Sequence, residues 1–458
     1  MKVKVRIAPS PTGFLHIGTA QSALYNWLFA SKNGGEFFLR IEDTDKERST
    51  KESEADIIDG LKWLGIQWDG KITHSTENQS RYKELLQKLL EEGKAFYCHH
   101  TQEELEAERK EQESAKKPPR HVCTHKNSEE GRRSGGIIRL VVDDRSDRII
   151  VFDDAIRGRV EFKQSLLGDF SIGRAVDDAL YHFAVVVDDV DMQITHVLRG
   201  EDHVSNTPKH ILIYEALGFP VPIFAHLPLI LAPDRSKMSK RHGATTIAEY
   251  KKDYLPDAIL NFLGAMGYTF SKELVSKEEM IKEFELSKVH KSGAVFDVKK
   301  LNWLNSQYIK NLSPEEFKKA LRQAQDESSG MPEIPDSAVV LITERLEKLS
   351  DVQNFDYFWK EPEYDKGLLK WKKSDLNKSV KTLAEVKKII EAFDFKKEKE
   401  GLRKLLDEFS VKVGDRGLVY WPLRVALTGK DKSPDPVDVA YIVGKEKTLK
   451  RVEEAIKI

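Results

Sequence analysis

Hydrophobic and polar positions alternate at the start of the chain and then change to a helical spacing. Residues 2–7 alternate basic and apolar side chains, which is typical of a half-buried strand. Two prolines and a glycine in residues 9–13 then break the strand into a turn. After the turn, apolar side chains recur at Ala20, Leu24 and Leu28, the spacing of one helix face. The pattern predicts a strand, a rigid turn and a helix.

The alternation of strand and helix continues to residue 92. The apolar run Phe37–Ile41 predicts a second strand, and residues 81–92 predict an amphipathic helix. Between them, Ser49 and Glu52 have the spacing of a capping box that opens another helix. The apolar face of that helix is formed by Ile57, Ile58, Leu61 and Leu64. Strands that alternate with helices indicate an α/β Rossmann-like domain with a doubly wound parallel sheet.

The middle of the chain interrupts this alternation. Residues 103–113 predict a charged helix, and residues 137–141 and 149–152 predict short strands. We interpret this region as an insertion with its own mixed α/β core. The parallel-sheet pattern then returns with the apolar runs Tyr181–Val187 and Ile194–Leu198, followed by a helix at 208–217.

The remainder of the chain is dominated by helical periodicity. Apolar side chains recur at i, i+3 and i+4 with capping residues in front of them. The predicted helices cover residues 256–266, 277–285, 314–324, 337–349, 379–393 and 397–409. The C-terminal part is therefore predicted to be all-α.

Composition limits the class of protein. A chain of 458 residues is long enough for about three domains. The 74 basic and 75 acidic residues nearly cancel, so a nucleic-acid partner would have to meet a basic surface confined to one side. Two cysteines argue against a disulfide framework and suit a reducing cytosol. The chain starts with a strand pattern and its longest apolar run, 221–232, is too short to span a bilayer. We expect a cytoplasmic protein.

The turn and the helix after it carry the first candidate chemistry. His16 and Thr19 lie at the predicted helix start, where unpaired backbone N–H groups and the helix dipole favour a phosphate. Gly18 would let a ligand approach the backbone closely. The chain has no P-loop pattern. Taken alone, the stretch would equally suit a capping or packing role.

A second stretch, residues 236–241, changes this balance. Alone, its cations and serines would usually be a solvated surface. Together and in this order, the two stretches resemble the HIGH and KMSKS signatures of the class I aminoacyl-tRNA synthetases. The first comprises Pro9, Ser10, Pro11, Thr12, Gly13, Phe14, Leu15, His16, Ile17, Gly18 and Thr19, and the second Lys237, Met238, Ser239, Lys240 and Arg241. Residues 40–45 and 198–203 narrow the resemblance to the bacterial glutamyl-tRNA synthetase family.

The resemblance implies an activity and a division into domains. The activity is ATP-dependent ligation of L-glutamate to tRNA(Glu) through a glutamyl-adenylate, with transfer to the terminal adenosine. ATP would act with Mg²⁺, and the enzyme would be a monomer. The implied domains are residues 1–80 and 182–235 (catalytic), 81–181 (acceptor-end insertion), 236–309 (KMSKS loop and stem contact) and 310–458 (anticodon binding). The alternative is a non-discriminating enzyme that also glutamylates tRNA(Gln).

The reaction needs positioning and charge stabilisation, with no protein nucleophile. The resemblance assigns catalysis to His16, Thr19, Lys237 and Lys240, and ATP binding to Gly18, Met238, Ser239 and Lys240. An arginine binds a carboxylate bidentately and an acid pairs with an ammonium. The resemblance accordingly implies a glutamate pocket of Arg6, Ala8, Ser10, Glu42, Tyr181 and Arg199.

The insertion holds two Cys-x-His pairs. Cys98 with His100 and Cys123 with His125 have a zinc-like arrangement, and some members of the family carry a zinc knuckle here. The prediction is a structural Zn²⁺ site on these four residues. The other interpretation is two ordinary surface pairs, since His99 and His121 make the pattern less clean.

Other function classes stay open on the sequence alone. A catalytically silent tRNA-binding paralogue would keep the fold and lose the chemistry, but His16, Lys237 and Lys240 are intact. A nucleotidyltransferase acting on a small molecule would leave the insertion and the helical extension unexplained. A glutaminyl-tRNA synthetase is disfavoured because its anticodon part is built from β-barrels. Two departures from the family pattern are Thr19 in place of the last His of HIGH and Val185 where some members carry Asn.

Overall fold

The computed structural model describes residues 2–239, 241, 243–324 and 334–457. The chain divides into two compact units. One comprises Met1–Tyr250 and Pro256–Leu301, and the other Lys251–Leu255 and Asn302–Ile458. Across the described ranges, no helix has the length and apolar character needed to cross a membrane.

The first unit contains all the described strands and the first nine helices. The strands are β1 (Lys4–Ile7), β2 (Glu36–Ile41), β3 (Thr73–His74), β4 (Ala95–Cys98), β5 (Ile137–Leu140), β6 (Ile149–Asp154), β7 (Gly158–Lys163), β8 (Ser171–Ala175), β9 (Asp178–Ala179), β10 (His196–Gly200), β11 (Ile223–Leu227), β12 (Ile230–Leu231) and β13 (Ala294–Val295). The helices are α1 (Ile17–Lys32), α2 (Lys51–Trp63), α3 (Gln79–Glu91), α4 (Gln102–Ser114), α5 (Tyr181–Asp191), α6 (Thr207–Leu217), α7 (Ile247–Tyr250), α8 (Pro256–Ala265) and α9 (Lys277–Glu283).

A parallel sheet organises this unit. Strands β1, β2 and β3 pair in that order, and β10 pairs with β11, all in parallel. The backbone N–H of Thr195 donates to Lys4 O at 2.9 Å, which brings the β10–β11 pair beside β1. The carboxyl ends of β1, β2 and β10 carry Arg6, Glu42 and Arg199, at the edge where α/β sheets bind ligands. The predicted α/β class with a parallel sheet is confirmed.

The middle of the first unit contains antiparallel strands. Strands β4, β5, β8 and β9 form a four-stranded sheet, and β6 and β7 form a hairpin. Ile138 and Ile172 of the sheet and Leu86 of α3 are fully buried in one hydrophobic core with Phe183 of α5. Burial of these side chains joins the antiparallel sheet to the helices that flank the parallel one.

Two local predictions are wrong. The run Tyr181–Val187 belongs to helix α5, with Phe183–Asp189 all buried. A short helix whose residues are buried on every side has no polar face, so periodicity alone cannot distinguish it from a buried strand. The helix α2 is capped by Thr50, whose Oγ1 accepts the N–H of Ser53 at 3.1 Å. Ser49 therefore lies one residue before the cap, and its N–H donates to Asp45 O.

The second unit is all-α in its described part, as predicted. Helix α10 (Val298–Lys310) contributes to both units, and it is followed by α11 (Pro314–Ala324), α12 (Asp336–Thr343), α13 (Leu376–Ala392), α14 (Lys399–Val413), α15 (Arg416–Thr428), α16 (Pro436–Val443) and α17 (Lys445–Ile456). The helix predicted to reach Leu349 ends at Thr343, and 3₁₀ turns cover Leu349–Phe358. Fully buried Leu383, Val386 and Leu423 hold α13 against α15.

Candidate active site

The HIGH segment is held in place by its neighbours. The N–H of Leu15 donates to Asp56 Oδ2 at 2.7 Å, and the N–H of Ile17 donates to Thr245 O at 2.9 Å. The Leu15 side chain lies directly over Gly60 of α2, where an added Cβ would come within 2.6 Å of Leu15 Cδ2. Only glycine lets these two segments approach so closely. These contacts hold the turn against α2 and the segment around Thr245.

His16 is the N-cap of α1, as the sequence predicted. Its Nδ1 accepts the N–H of Gly18 at 3.1 Å, which assigns the remaining ring proton to Nε2. Burial, together with the positive charge of Lys237, lowers the pKa of His16. The side chain is thus a neutral imidazole that can donate one hydrogen bond from Nε2.

A cavity of about 470 Å³ lies at the carboxyl edge of the sheet. All six residues predicted to bind the amino acid line it, namely Arg6, Ala8, Ser10, Glu42, Tyr181 and Arg199. From the predicted ATP and catalytic set it is lined by His16, Gly18, Thr19, Lys237 and Met238. Ser239 is not among the lining residues, and Lys240 lies outside the described residues.

An ion pair and a backbone hydrogen bond tie the KMSKS segment to the cavity. Lys237 Nζ lies 2.8 Å from Asp202 Oδ2, and both residues line the cavity. The N–H of Met238 donates to Ile230 O at 3.0 Å, so the start of the segment lies alongside β12. Asp202 was not predicted, although it follows Arg199 within the segment 198–203 that carried the family resemblance.

One side of the cavity has a surplus of negative charge. Asp189 accepts from Arg6 Nε at 2.8 Å and Nη2 at 3.1 Å, and from Arg40 Nη1 at 2.7 Å. Arg40 also pairs with Asp188 at 3.6 Å and with Glu42 at 3.3 Å. Two guanidinium groups thus face three buried carboxylates, and Glu42 is the one that lines the cavity.

The pKa values follow this imbalance. Burial raises the pKa of Glu42, and Arg40 and Arg6 offset the increase only in part. Burial also opposes ionisation of Asp189, but Arg6 and Arg40 outweigh it and lower the pKa of that carboxyl. Glu42 is therefore the carboxylate that a ligand cation would stabilise most. Asp188 and Asp189 were not predicted as site residues. The sequence signal for them is their position directly after the apolar run of α5, because buried acids need cationic partners.

The cavity lining also carries an unpaired positive charge, that of Arg199. Arg199 donates from Nη2 to Thr207 Oγ1 at 2.7 Å, from Nη1 to His210 Nδ1 at 3.2 Å and from Nε to His226 Nε2 at 3.2 Å. Within the described ranges, Arg199 forms no ion pair with a carboxylate. Burial lowers its pKa, which is the direction expected for a cation that lacks a counter-ion.

The histidines beside Arg199 are neutral. Burial, reinforced by the charge of Arg199, lowers the pKa of His203 to about 4, and burial with Lys209 and Arg199 does the same for His182. His210 is shifted in the same direction, again chiefly by burial. An anion is the ligand that would compensate Arg199 in this surrounding.

The insertion brings four ligand-type side chains together. Ligand atoms of Cys98, His100, His121 and Cys123 all lie within 4.8 Å of one another. The sequence prediction named His125 as the fourth member, whereas the structure puts His121 there. The reason is that His121 Nε2 faces Cys98 Sγ at 3.6 Å. His121 lies two residues before Cys123, and this His-x-Cys spacing was not used in the prediction.

His125 lies at the edge of this group. Its Nδ1 is 3.6 Å from Cys123 Sγ but also accepts the N–H of His99 at 3.2 Å. The Nδ1 of His121, by contrast, bonds to Glu108 Oε2 at 2.6 Å, the outer contact that orients a metal-binding imidazole. Two sulfur and two nitrogen donors in this arrangement fit a tetrahedral Zn²⁺.

The sequence is similar to known proteins along nearly its whole length. Residues 2–303 match the family described as tRNA synthetases class I (E and Q), catalytic domain, and residues 279–456 match an anticodon binding domain. The chain is 42% identical to glutamate–tRNA ligase 2 of Thermoanaerobacter pseudethanolicus, over 99% of this chain and 98% of that protein. It is 41% identical to the glutamate–tRNA ligase of Thermodesulfovibrio yellowstonii, over 99% of both.

Solved structures with a similar fold belong to the same kind of enzyme. The crystal structure of a glutamate tRNA ligase from Elizabethkingia meningosepticum, in complex with its amino acid, superposes with a TM-score of 0.86 at 33% identity. That match covers 100% of this chain and 99% of the other. The glutamate-tRNA synthetase of Elizabethkingia anophelis matches with a TM-score of 0.84, also at 33% identity, over all of both chains.

Proposed function

The chain belongs to the class I glutamate–tRNA ligases, and on that premise we propose that it activates L-glutamate with ATP and transfers it to tRNA(Glu). The observation that carries the proposal is the charge of the cavity lining, which holds both the unpaired Arg199 and the surplus carboxylate Glu42. Glutamate has a side-chain carboxylate and an ammonium group, which match this pair of charges.

Arg199 binds the side-chain carboxylate in this proposal, and Glu42 binds the ammonium. Arg6 has Nη1 left for the side-chain carboxylate, because its Nε and Nη2 are already occupied by Asp189. Glutamine has no charge on its side chain and would leave Arg199 buried without a counter-ion. Mismatches of that kind give strong discrimination in a closed site.

The phosphates of ATP occupy the part of the cavity lined by the HIGH and KMSKS segments. The Nε2–H of His16, the ammonium of Lys237 and the N-terminus of α1 are the donors there, and Thr19 adds a hydroxyl. Bound Mg²⁺ would supply neutralisation of part of the phosphate charge. The glutamate α-carboxylate attacks the α-phosphorus and pyrophosphate leaves. A hydroxyl of the terminal ribose then attacks the acyl carbon of the glutamyl-adenylate, and AMP leaves.

The remaining assignments rest on family membership. The insertion, residues 81–181, binds the acceptor end, and residues 310–458 bind the anticodon region. Cys98, His100, His121 and Cys123 would hold a structural Zn²⁺ that fixes the fold of the insertion. The enzyme acts as a monomer and, because its substrate is tRNA, in the cytoplasm.

The test is aminoacylation of purified tRNA(Glu) and tRNA(Gln) with labelled glutamate, ATP and Mg²⁺. Charging of tRNA(Glu) alone supports the discriminating enzyme, and charging of both supports the non-discriminating alternative. Charging of neither, with folded protein that still binds tRNA, overturns the proposal in favour of a silent paralogue. Failure to bind tRNA as well favours an enzyme that acts on a small molecule.

A pair of variants tests the site itself. Arg199→Gln should lower kcat/KM for glutamate by about a hundredfold or more, because it removes a buried charge that faces the ligand. Arg148→Gln is the matched control, since Arg148 is an exposed arginine paired with Glu215 at the surface. It should leave the kinetics unchanged. Equal effects of the two substitutions would contradict the assignment of Arg199.

A further inference from the structure

A fully buried acid–imidazole pair lies behind Arg199, away from the cavity. Asp154, the last residue of β6, and His226, in β11, both have 0% of their side chains exposed. His226 Nδ1 lies 2.6 Å from Asp154 Oδ2, and His226 Nε2 lies 3.2 Å from Arg199 Nε. Asp154 and His226 are absent from the cavity lining.

The direction of the hydrogen bonds follows from the chemistry of the groups. A guanidinium only donates, so His226 Nε2 must accept from Arg199. The proton of the neutral ring therefore resides on Nδ1 and is donated to Asp154. The pKa shifts agree, because burial lowers the pKa of His226 despite Asp154, and the bonds Asp154 accepts outweigh its burial and lower its own pKa.

We propose that Asp154 and His226 are positioning residues that fix the Arg199 guanidinium in the orientation that receives the side-chain carboxylate of the amino acid. The proposal rests on the function proposed for Arg199 above. It makes selection of glutamate over glutamine depend on two residues that never touch the substrate. Asp154 sets the tautomer of His226, and His226 Nε2 holds Nε of Arg199. The terminal N–H groups that are not donated to Thr207 and His210 are then left for the ligand.

A purely structural role for the pair is the alternative. Asp154 already accepts the backbone N–H groups of Ile156, Arg157 and His226 at 2.8–3.2 Å. The turn after β6 and its link to β11 would therefore be held without the imidazole. These contacts do not explain the bond that Arg199 Nε donates to His226 Nε2, an atom that also lies 3.0 Å from Thr207 Oγ1. The bond from Arg199 is the one that the proposal assigns to substrate selection.

Two substitutions at the same position separate the roles. His226→Gln can place an amide oxygen near the position of Nε2 and keep an acceptor for Arg199, whereas His226→Asn is too short to reach it. We expect His226→Asn to raise KM for glutamate about ten- to a hundredfold, the range for losing a hydrogen bond to a charged group. KM for ATP should stay within about twofold, and His226→Gln should recover most of the loss.

Asp154→Asn provides a second line. Its amide can donate to His226 Nδ1, which moves the ring proton to Nε2 and points it at the N–H of Arg199. The expected result is the kinetic change of His226→Asn, together with a smaller preference for glutamate over glutamine. The matched control is His196→Asn and His196→Gln, since His196 is a half-buried histidine of the neighbouring strand β10 outside the cavity. Both should behave as wild type.

The outcomes distinguish this proposal from the one it rests on. A wild-type enzyme that does not charge tRNA with glutamate overturns the proposed function itself. A wild-type enzyme that does, with KM for glutamate unchanged in folded His226→Asn, overturns only the positioning role. Equal loss in His226→Asn and His226→Gln, or parallel increases in KM for ATP, would assign the pair to the fold alone. Thermal unfolding of each variant establishes whether it is folded. If Asp154→Asn is not folded, the two His226 variants alone decide whether the pair has the positioning role.

Discussion

Asp189→Asn should destabilise the first unit far more than the same change two residues later. Asp189 is 4% exposed and pairs with both Arg6 and Arg40. The substitution preserves shape and removes the charge. Among the described residues, Asp189 is the carboxylate that pairs with Arg6, which then loses it, while Arg40 keeps Asp188 and Glu42. The consequence is one buried guanidinium without a counter-ion.

The magnitude follows from this count of partners. Removing one member of a buried ion pair costs about 3–5 kcal/mol, because the partner charge remains desolvated. We expect the lower end, about 3 kcal/mol, since Arg40 is only partly deprived. Asp191→Asn is the control on the same helix. Asp191 is 33% exposed and lies 3.6 Å from Arg81, and surface pairs of this kind contribute about 0–1 kcal/mol.

Hydrogen exchange of the β1 and β2 amides measures the effect in the full-length protein, because exchange of core strands reports the free energy of opening that unit. The difference between wild type and Asp189→Asn also depends on pH. The folded pKa of Asp189 is lowered from its ordinary value of 3.8, so its contribution is present above that value and is lost as the pH falls through the folded pKa. The gap should therefore narrow in acid. A loss no larger than that of Asp191→Asn at neutral pH would refute the reasoning from burial.

Three further results are expected. Glu42→Gln should raise KM for glutamate about ten- to a hundredfold; in wild type this KM should rise as the pH falls through the raised pKa of Glu42, and a variant with the same pH profile would contradict its role. Asp202→Asn should lower KM for ATP about two- to fivefold in pyrophosphate exchange measured with tRNA present, because it frees Lys237 from a partly exposed ion pair. An unchanged KM would argue that Asp202 does not compete with the ATP phosphates for Lys237. Cys98→Ser should abolish stoichiometric zinc binding, measured by atomic absorption, and should speed hydrogen exchange of the β4 amides. Equal zinc content in the wild type and the variant would contradict the proposed zinc site.

Side-chain periodicity predicted most helices and strands because it is a local property. The alternation of residues 2–7 corresponds to β1, and the spacing in residues 314–324 corresponds to α11 to the residue. His16 was placed at the helix start because a turn, a cap and an apolar stripe follow one another within a few positions. The prediction for Tyr181–Val187 was wrong because burial on all sides removes the polar face that would reveal a helical period.

The sequence by itself also determined which residue types meet at the cavity, because the two signatures and the segments 40–45 and 198–203 carry them. Only the tertiary structure decided the partners of those residues. Arg6 pairs with Asp189 across 183 positions of the chain, and His226 with Asp154 across 72. Likewise His121, and not His125, lies with the two cysteines and His100, although both histidines are two residues from Cys123 in the sequence. Periodicity and caps act between neighbours in sequence, whereas desolvated charges and metal-type ligands choose partners by distance in space, and topology alone sets that distance.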